Sequence, residues 1–225
     1  MPARCLLYYI TDRSQFLGDK SAQHRTLRAK VAEAARAGVD YIQLREKDLS
    51  PRELETLTRE LLAIVRENPN YSDSTRLLIN SRTDVALAAE ADGVHLRAND
   101  IAPHEVRRVL KAIALSGRPP ANPQFLIASS CHTVADVARA ASEAADFAVF
   151  APIFGKSRSP ATQPAGLDAL RLACHAKIPV LALGGVTIEN ASSCLNAGAS
   201  GIAGIRLFQQ NKIEEVVHAL RPLTP

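Results

Sequence analysis

No CxxC pair occurs among the four cysteines, Cys5, Cys131, Cys174 and Cys194, which lie far apart along the chain. The thiols therefore read as reduced, buried or half-buried side chains of a cytoplasmic protein. Long apolar runs are missing too. No stretch could span a bilayer, and the N-terminus lacks the basic and apolar regions of a signal peptide. Nor is charge of one sign concentrated anywhere. Lys and Arg number 27 against 23 Asp and Glu, for a net charge of +4, and the basic residues are scattered. That distribution argues against nucleic acid as a partner and suits anionic small molecules. What remains is ordinary for a globular chain: 225 residues, 47% hydrophobic and 22% charged. It is the size of one α/β-barrel domain, residues 1–225.

Eight short apolar segments punctuate the sequence: LLYYIT (6–11), YIQLRE (41–46), RLLIN (76–80), GVHL (93–96), FLIASS (125–130), FAVFAPI (147–153), PVLALGG (179–185) and GIAGIRLF (201–208). Strands buried on both faces read as continuous runs of this kind. Helical patterns fill the intervals. Residues 24–37 carry Leu27, Val31, Ala34 and Ala35 at helical spacing, with Gly38 as the stop. Ser50-Pro51-Arg52-Glu53 opens a helix as a capping box with proline in the first turn, and Leu54, Leu57, Leu61 and Val65 give it an apolar stripe. An Ala-rich helix starts near Asp84, Pro103 opens another, and Thr133 to Asp136 resembles a second capping box. Further helical stretches fall near 166–176, 188–197 and 213–220. A strand–helix repeat of roughly 25–30 residues predicts a (β/α)8 TIM barrel, with an open doubly wound sheet as the alternative.

In a barrel the strand C-termini share one rim, so function is read from the residues that follow each strand. The segment 76–100 is a βαβ unit that sets Asn80, Ser81 and Arg82 beside Asn99 and Asp100. Asp100, a lone carboxylate flanked by amides and hydroxyls, suits a hard cation or a diphosphate. Alternatively, Asn80, Ser81 and Asp84 cap the helix. Strand one ends in Thr11, Asp12 and Arg13. Gln43, Arg45 and Lys47 alternate along strand two and share a face; two cations there, with no acidic partner on that face, call for an anion. His132 is placed for acid–base chemistry or for helix capping, whereas Cys131 points the other way, into the core. Lys156 and Arg158 belong to a cationic loop after strand six, of the kind that folds over phosphates. Gly184, Gly185, Gly201, Gly204 and Arg206 end the last two strands, where barrels often hold phosphate, and Gly204 and Arg206 fall on one face.

In order and spacing, YYITD, YIQLREK, LLINSRTDVALAAEADGVHL, SSCHT, APIF and ALGGVTIENASSCLNAGASGIAG resemble the superfamily of thiamine phosphate synthase and the related thiazole tautomerase, from about residue 6 to 208. The resemblance implies a TIM barrel joining a hydroxymethylpyrimidine diphosphate to a thiazole phosphate, with Mg2+ as cofactor and pyrophosphate released. It implies that Gln43, Arg45 and Lys47 hold the diphosphate, with Asn80 against its phosphates or ring. Asp100 would be the Mg2+ ligand and Ser130 would stand near the leaving group. Lys156 to Ser159, Gly185 and the 204–206 backbone would take the thiazole phosphate. Two departures stand out. Ser81 replaces the Asp that would be a second metal ligand, and the loop after strand six reads GKSRSPAT rather than a Thr-rich run. The tautomerase branch lacks that Asp and uses a His after strand five, which His132 matches, so a metal-independent isomerase is a second expectation. A non-catalytic barrel binding thiamine precursors is a third. The partners expected are phosphorylated small molecules, with no nucleic acid and no membrane; a homo-oligomer is compatible with the chain.

Overall fold

A computed structural model describes residues 4–67, 75–117, 124–155 and 163–223. Eight parallel strands, β1 (Leu6–Ile10), β2 (Tyr41–Leu44), β3 (Arg76–Asn80), β4 (Gly93–Leu96), β5 (Leu126–Cys131), β6 (Phe147–Phe150), β7 (Val180–Ala182) and β8 (Gly201–Gly204), pair in chain order into a closed barrel. β1 pairs with both β2 and β8, which closes the sheet. The expected TIM barrel is what forms.

The helices outside it are α1 (Lys20–Ala37), α2 (Pro51–Arg66), α3 (Thr83–Ala88), α4 (Pro103–Leu115), α5 (Val134–Ser142), α6 (Gly166–Ala173), α7 (Ala191–Asn196), α8 (Arg206–Gln209) and α9 (Ile213–Leu220). Their ends follow local chemistry. The Ser50–Glu53 and Thr133–Asp136 pairs both form capping boxes, and Gly38 ends α1 at φ 79°. α1 starts earlier than its apolar spacing predicts, because the Asp19 carboxylate accepts the Ala22 N–H and caps it.

Period-two alternation divides the core in two. Tyr8, Ile10, Leu78, Ala128, Phe147, Val149, Leu181 and Ala203 pack inside the barrel. The opposite faces of the strands, such as Leu7, Ile42, Leu77, Val94 and Ile127, join the larger core with the helices. The rings of Tyr8, Tyr41 and Phe147 plug the interior, with Tyr41 and Phe147 stacked 4.8 Å apart. All four cysteines are free thiols; Cys131 is in the core, as expected. Among the described residues, no helix is long and apolar enough to cross a membrane.

The last strand differs from expectation. GIAGIRLF does not run straight through: β8 stops at Gly204, Ile205 turns, and α8 begins at Arg206. Arg206 therefore does not share a strand face with Gly204.

Candidate active site

Climbing each strand, the inward residues change from apolar to polar. Above the aromatic plug come Gln43, Asn80, His95 and Ser130. One alternation further come Arg45, Arg82, Arg97 and His132. All eight line one cleft of about 1200 Å³ at the C-terminal ends of the strands, together with Lys47, Ser81, Gly185, Gly204 and Arg206. The fold thus gathers the expected residues of strands two to five, seven and eight in one place. Asp100 lies outside that lining, in a small neighbouring cavity. Lys156 and Arg158 lie outside the described residues.

Most charges at the mouth are already matched. Arg82 pairs with Asp84, and the Arg97 guanidinium reaches Asp100 at 2.9 Å. Arg45 stands 3.9 Å from Asp12, so the strand-two cations are not without an acidic neighbour. Arg13 does not face the cleft. It is buried, donating to Glu46 at 2.8 Å and Asp48 at 2.7 Å, while the Thr11 hydroxyl donates to Glu46. This buried pair braces the turn that carries Arg45 and Lys47. Lys47 and Arg206 have no acidic partner among the described residues. These two are the cations left for a ligand.

Ser81 sits at φ 63°, a left-handed conformation uncommon for non-glycine residues. It does not cap α3, whose N-cap is Arg82 without a side-chain bond; of the capping alternative only Asp84 is realised, its carboxylate in the first turn accepting the Val85 N–H. Instead Gln43 donates to the Asn80 carbonyl at 2.8 Å, and the Asn80 amide faces the Ser81 hydroxyl at 3.3 Å. Nor does the His132 ring cap α5; Thr133 does. The His132 Nδ1–H donates to the Ala151 carbonyl at 2.8 Å. A carbonyl only accepts, so in the neutral imidazole Nε2 is left with its lone pair available to the cleft.

His95 is the group that sequence reasoning missed. It is buried, between the Tyr8 hydroxyl at 3.0 Å and the Ser130 hydroxyl at 2.7 Å. Burial lowers its pKa to about 3 against the nearby charge of Asp100. Folded His95 stays neutral while unfolded His95 takes a proton below its ordinary 6.5. Its contribution to stability is therefore complete above pH 6.5 and lost as pH falls towards 3, at up to about 1.4 kcal/mol per pH unit. His95→Gln should flatten the fall in urea midpoint between about pH 7 and 5; an unchanged slope would place the titration elsewhere.

The chain matches the thiamine monophosphate synthase family over residues 7–208. It belongs to that family. The thiamine-phosphate synthase of Methanoculleus marisnigri is 38% identical over 202 residues, covering 88% of this chain and 85% of the relative. That of a Roseiflexus species is 35% identical, covering 89% and 76%. The structure of thiamine phosphate pyrophosphorylase from Pyrococcus furiosus superposes with a TM-score of 0.75 at 28% identity, covering 97% and 94%.

Family membership raises the question of Mg2+, and the donor set answers in part. Asp100 accepts the Arg97 backbone N–H at 2.8 Å and its guanidinium at 2.9 Å. Burial pushes its carboxyl up, but the bonds from Arg97 and the Ser81 hydroxyl outweigh that and leave its pKa below the ordinary value. No group of three or more His, Cys, Asp or Glu suited to a metal occurs among the described residues. One carboxylate already sharing a guanidinium does not fit an ion held by this synthase-family chain alone. It does fit an ion arriving on a diphosphate, since Mg2+ keeps waters and binds through one or two carboxylates plus substrate phosphates.

Proposed function

We propose that this cleft makes thiamine phosphate by transferring a hydroxymethylpyrimidine group from its diphosphate to a thiazole phosphate. The observation that carries this is the pair of unpartnered cations, Lys47 and Arg206, standing over a polar floor in a chain of this family. Lys47 and Arg45 take the diphosphate, and Gln43 and Asn80, already bonded to each other, orient the pyrimidine. The bond between the pyrimidine CH2 and the diphosphate oxygen breaks, its electrons leaving with pyrophosphate. The thiazole nitrogen then gives its lone pair to that carbon. Gly185, at φ 71° with Phe154 only 2.8 Å from where a Cβ would stand, together with Gly204 and Arg206, takes the thiazole phosphate. Ser130 stands on the leaving-group side. Mg2+ brought in on the diphosphate would meet Asp100 and Ser81, and when bound it neutralises charge on the departing pyrophosphate.

Incubation with both substrates and Mg2+ should yield thiamine phosphate. A second reading is supported by the free Nε2 of His132: isomerisation of a thiazole phosphate by proton transfer, without metal. Product that forms without Mg2+, survives Asp100→Ala and disappears in His132→Ala would make that reading the correct one.

The ion's place is tested by Ser81→Asp. The left-handed backbone at 81 accepts Asp at least as readily as Ser, so the fold should be unperturbed. A second carboxylate should lower the Mg2+ concentration needed for half-maximal turnover. An unchanged Mg2+ titration would remove Ser81 from the ion's surroundings.

A further inference from the structure

A file of three hydrogen-bonding side chains climbs the barrel interior into the floor of the cleft: Tyr8, His95 and Ser130. The 2.7 Å contact between His95 Nε2 and Ser130 Oγ resembles a base-activated nucleophile. Its partners argue otherwise. A neutral imidazole offers one donor and one acceptor, so the two ring nitrogens have opposite roles. The Tyr8 hydroxyl is fully buried among Ile10, Leu78, Phe147 and other apolar side chains, and His95 Nδ1 is its only partner among the described residues. Were Nδ1 the donor, the phenol's own proton would be stranded in apolar surroundings. With Tyr8 donating to Nδ1, every group is satisfied. Nε2 then carries the proton and donates it to Ser130 Oγ. The Ser130 oxygen is occupied as an acceptor, and its own hydrogen is the one left for the cleft. Burial holds His95 neutral and the Tyr8 phenol protonated, so the arrangement persists across the working pH range.

We propose that Tyr8 and His95 are positioning residues that lock Ser130 as a hydrogen-bond donor to the departing pyrophosphate, and not as a nucleophile. The inference rests on the synthase reading of the cleft, which places the leaving group at Ser130.

Two measurements test it. Nitrogen-15 NMR of the imidazole rings in the intact protein reads the tautomer directly. A protonated Nε2 on His95 is expected, and a protonated Nδ1 overturns the proposal without any substitution. Calorimetric titration with inorganic pyrophosphate and Mg2+ then measures the consequence. Ser130→Ala should weaken binding about 10-fold and Tyr8→Phe about 3–10-fold. In the Ser130→Ala background Tyr8→Phe should change nothing more, because it acts only through the serine. A merely structural Tyr8 would weaken both backgrounds equally, and that outcome overturns the proposal. If the parent does not bind pyrophosphate, or Ser130→Ala binds it as well as the parent, the reading of the cleft fails, even where the NMR result holds.

Discussion

Lys47→Ala should weaken binding of the pyrimidine diphosphate by about 10–150-fold, the loss of one charge-assisted contact worth about 1.5–3 kcal/mol. Lys47 is exposed and unpaired, so its removal strands no buried partner and the unfolding midpoint should stay where it is. Arg45→Ala is the control. Arg45 already shares its charge with Asp12, and removing it leaves that carboxylate facing the ligand. Both variants should bind less, but Lys47 tests the anion assignment more cleanly. Calorimetry with the diphosphate decides, and parent-like affinity in Lys47→Ala would falsify the placement of that group beside the turn after strand two.

Gly201→Ala should cripple the fold and leave the chemistry of any surviving barrel intact. A Cβ at 201 would stand 2.1 Å from the Leu6 carbonyl oxygen and 2.7 Å from the Leu6 Cβ. Leu6 is its register partner across the β1–β8 seam, so the added methyl pushes apart the two strands that close the barrel. Backbone cannot swing aside as a flexible side chain can. The expected loss is about 3 kcal/mol or more, read as a fall in Tm of roughly 6–12 °C. Gly117→Ala is the contrast: at φ 78° it is strained, yet nothing lies within 4 Å of its Cβ. That variant should lose only about 1–2 kcal/mol. Equal losses at the two sites would mean that the seam yields more easily than its geometry suggests.

The barrel was legible because parallel strands buried on both faces must be apolar throughout, and runs such as RLLIN and FAVF are. Alternation also put Gln43 on the cleft side, and Arg45 and Lys47 line the cleft as well, though β2 ends at Leu44 and both stand in the turn beyond it. Alternation misled at GIAGIRLF, where a short apolar run fits a strand or a buried helix equally well. The same rule extended from His95 would have found Arg97, which lies two residues on. What no pattern displays is pairing across the barrel. Glu46 reads as a strand residue until Arg13, just past the neighbouring strand's end, is found buried against it. Tyr8 and His95 are separated by 87 positions, and only barrel closure brings them together.

The aromatic plug of Tyr8, Tyr41 and Phe147 closes the chamber from below, which leaves the C-terminal rim as its doorway among the described residues. Two reactants enter by that doorway and two products leave by it. Whatever settles deepest must arrive first and depart last, so the architecture itself imposes a queue. For the transfer proposed here, the pyrimidine is held low, on Gln43 and Asn80, and the thiazole phosphate nearer the mouth, which makes traffic through the opening, as much as bond breaking, a step that turnover has to wait for.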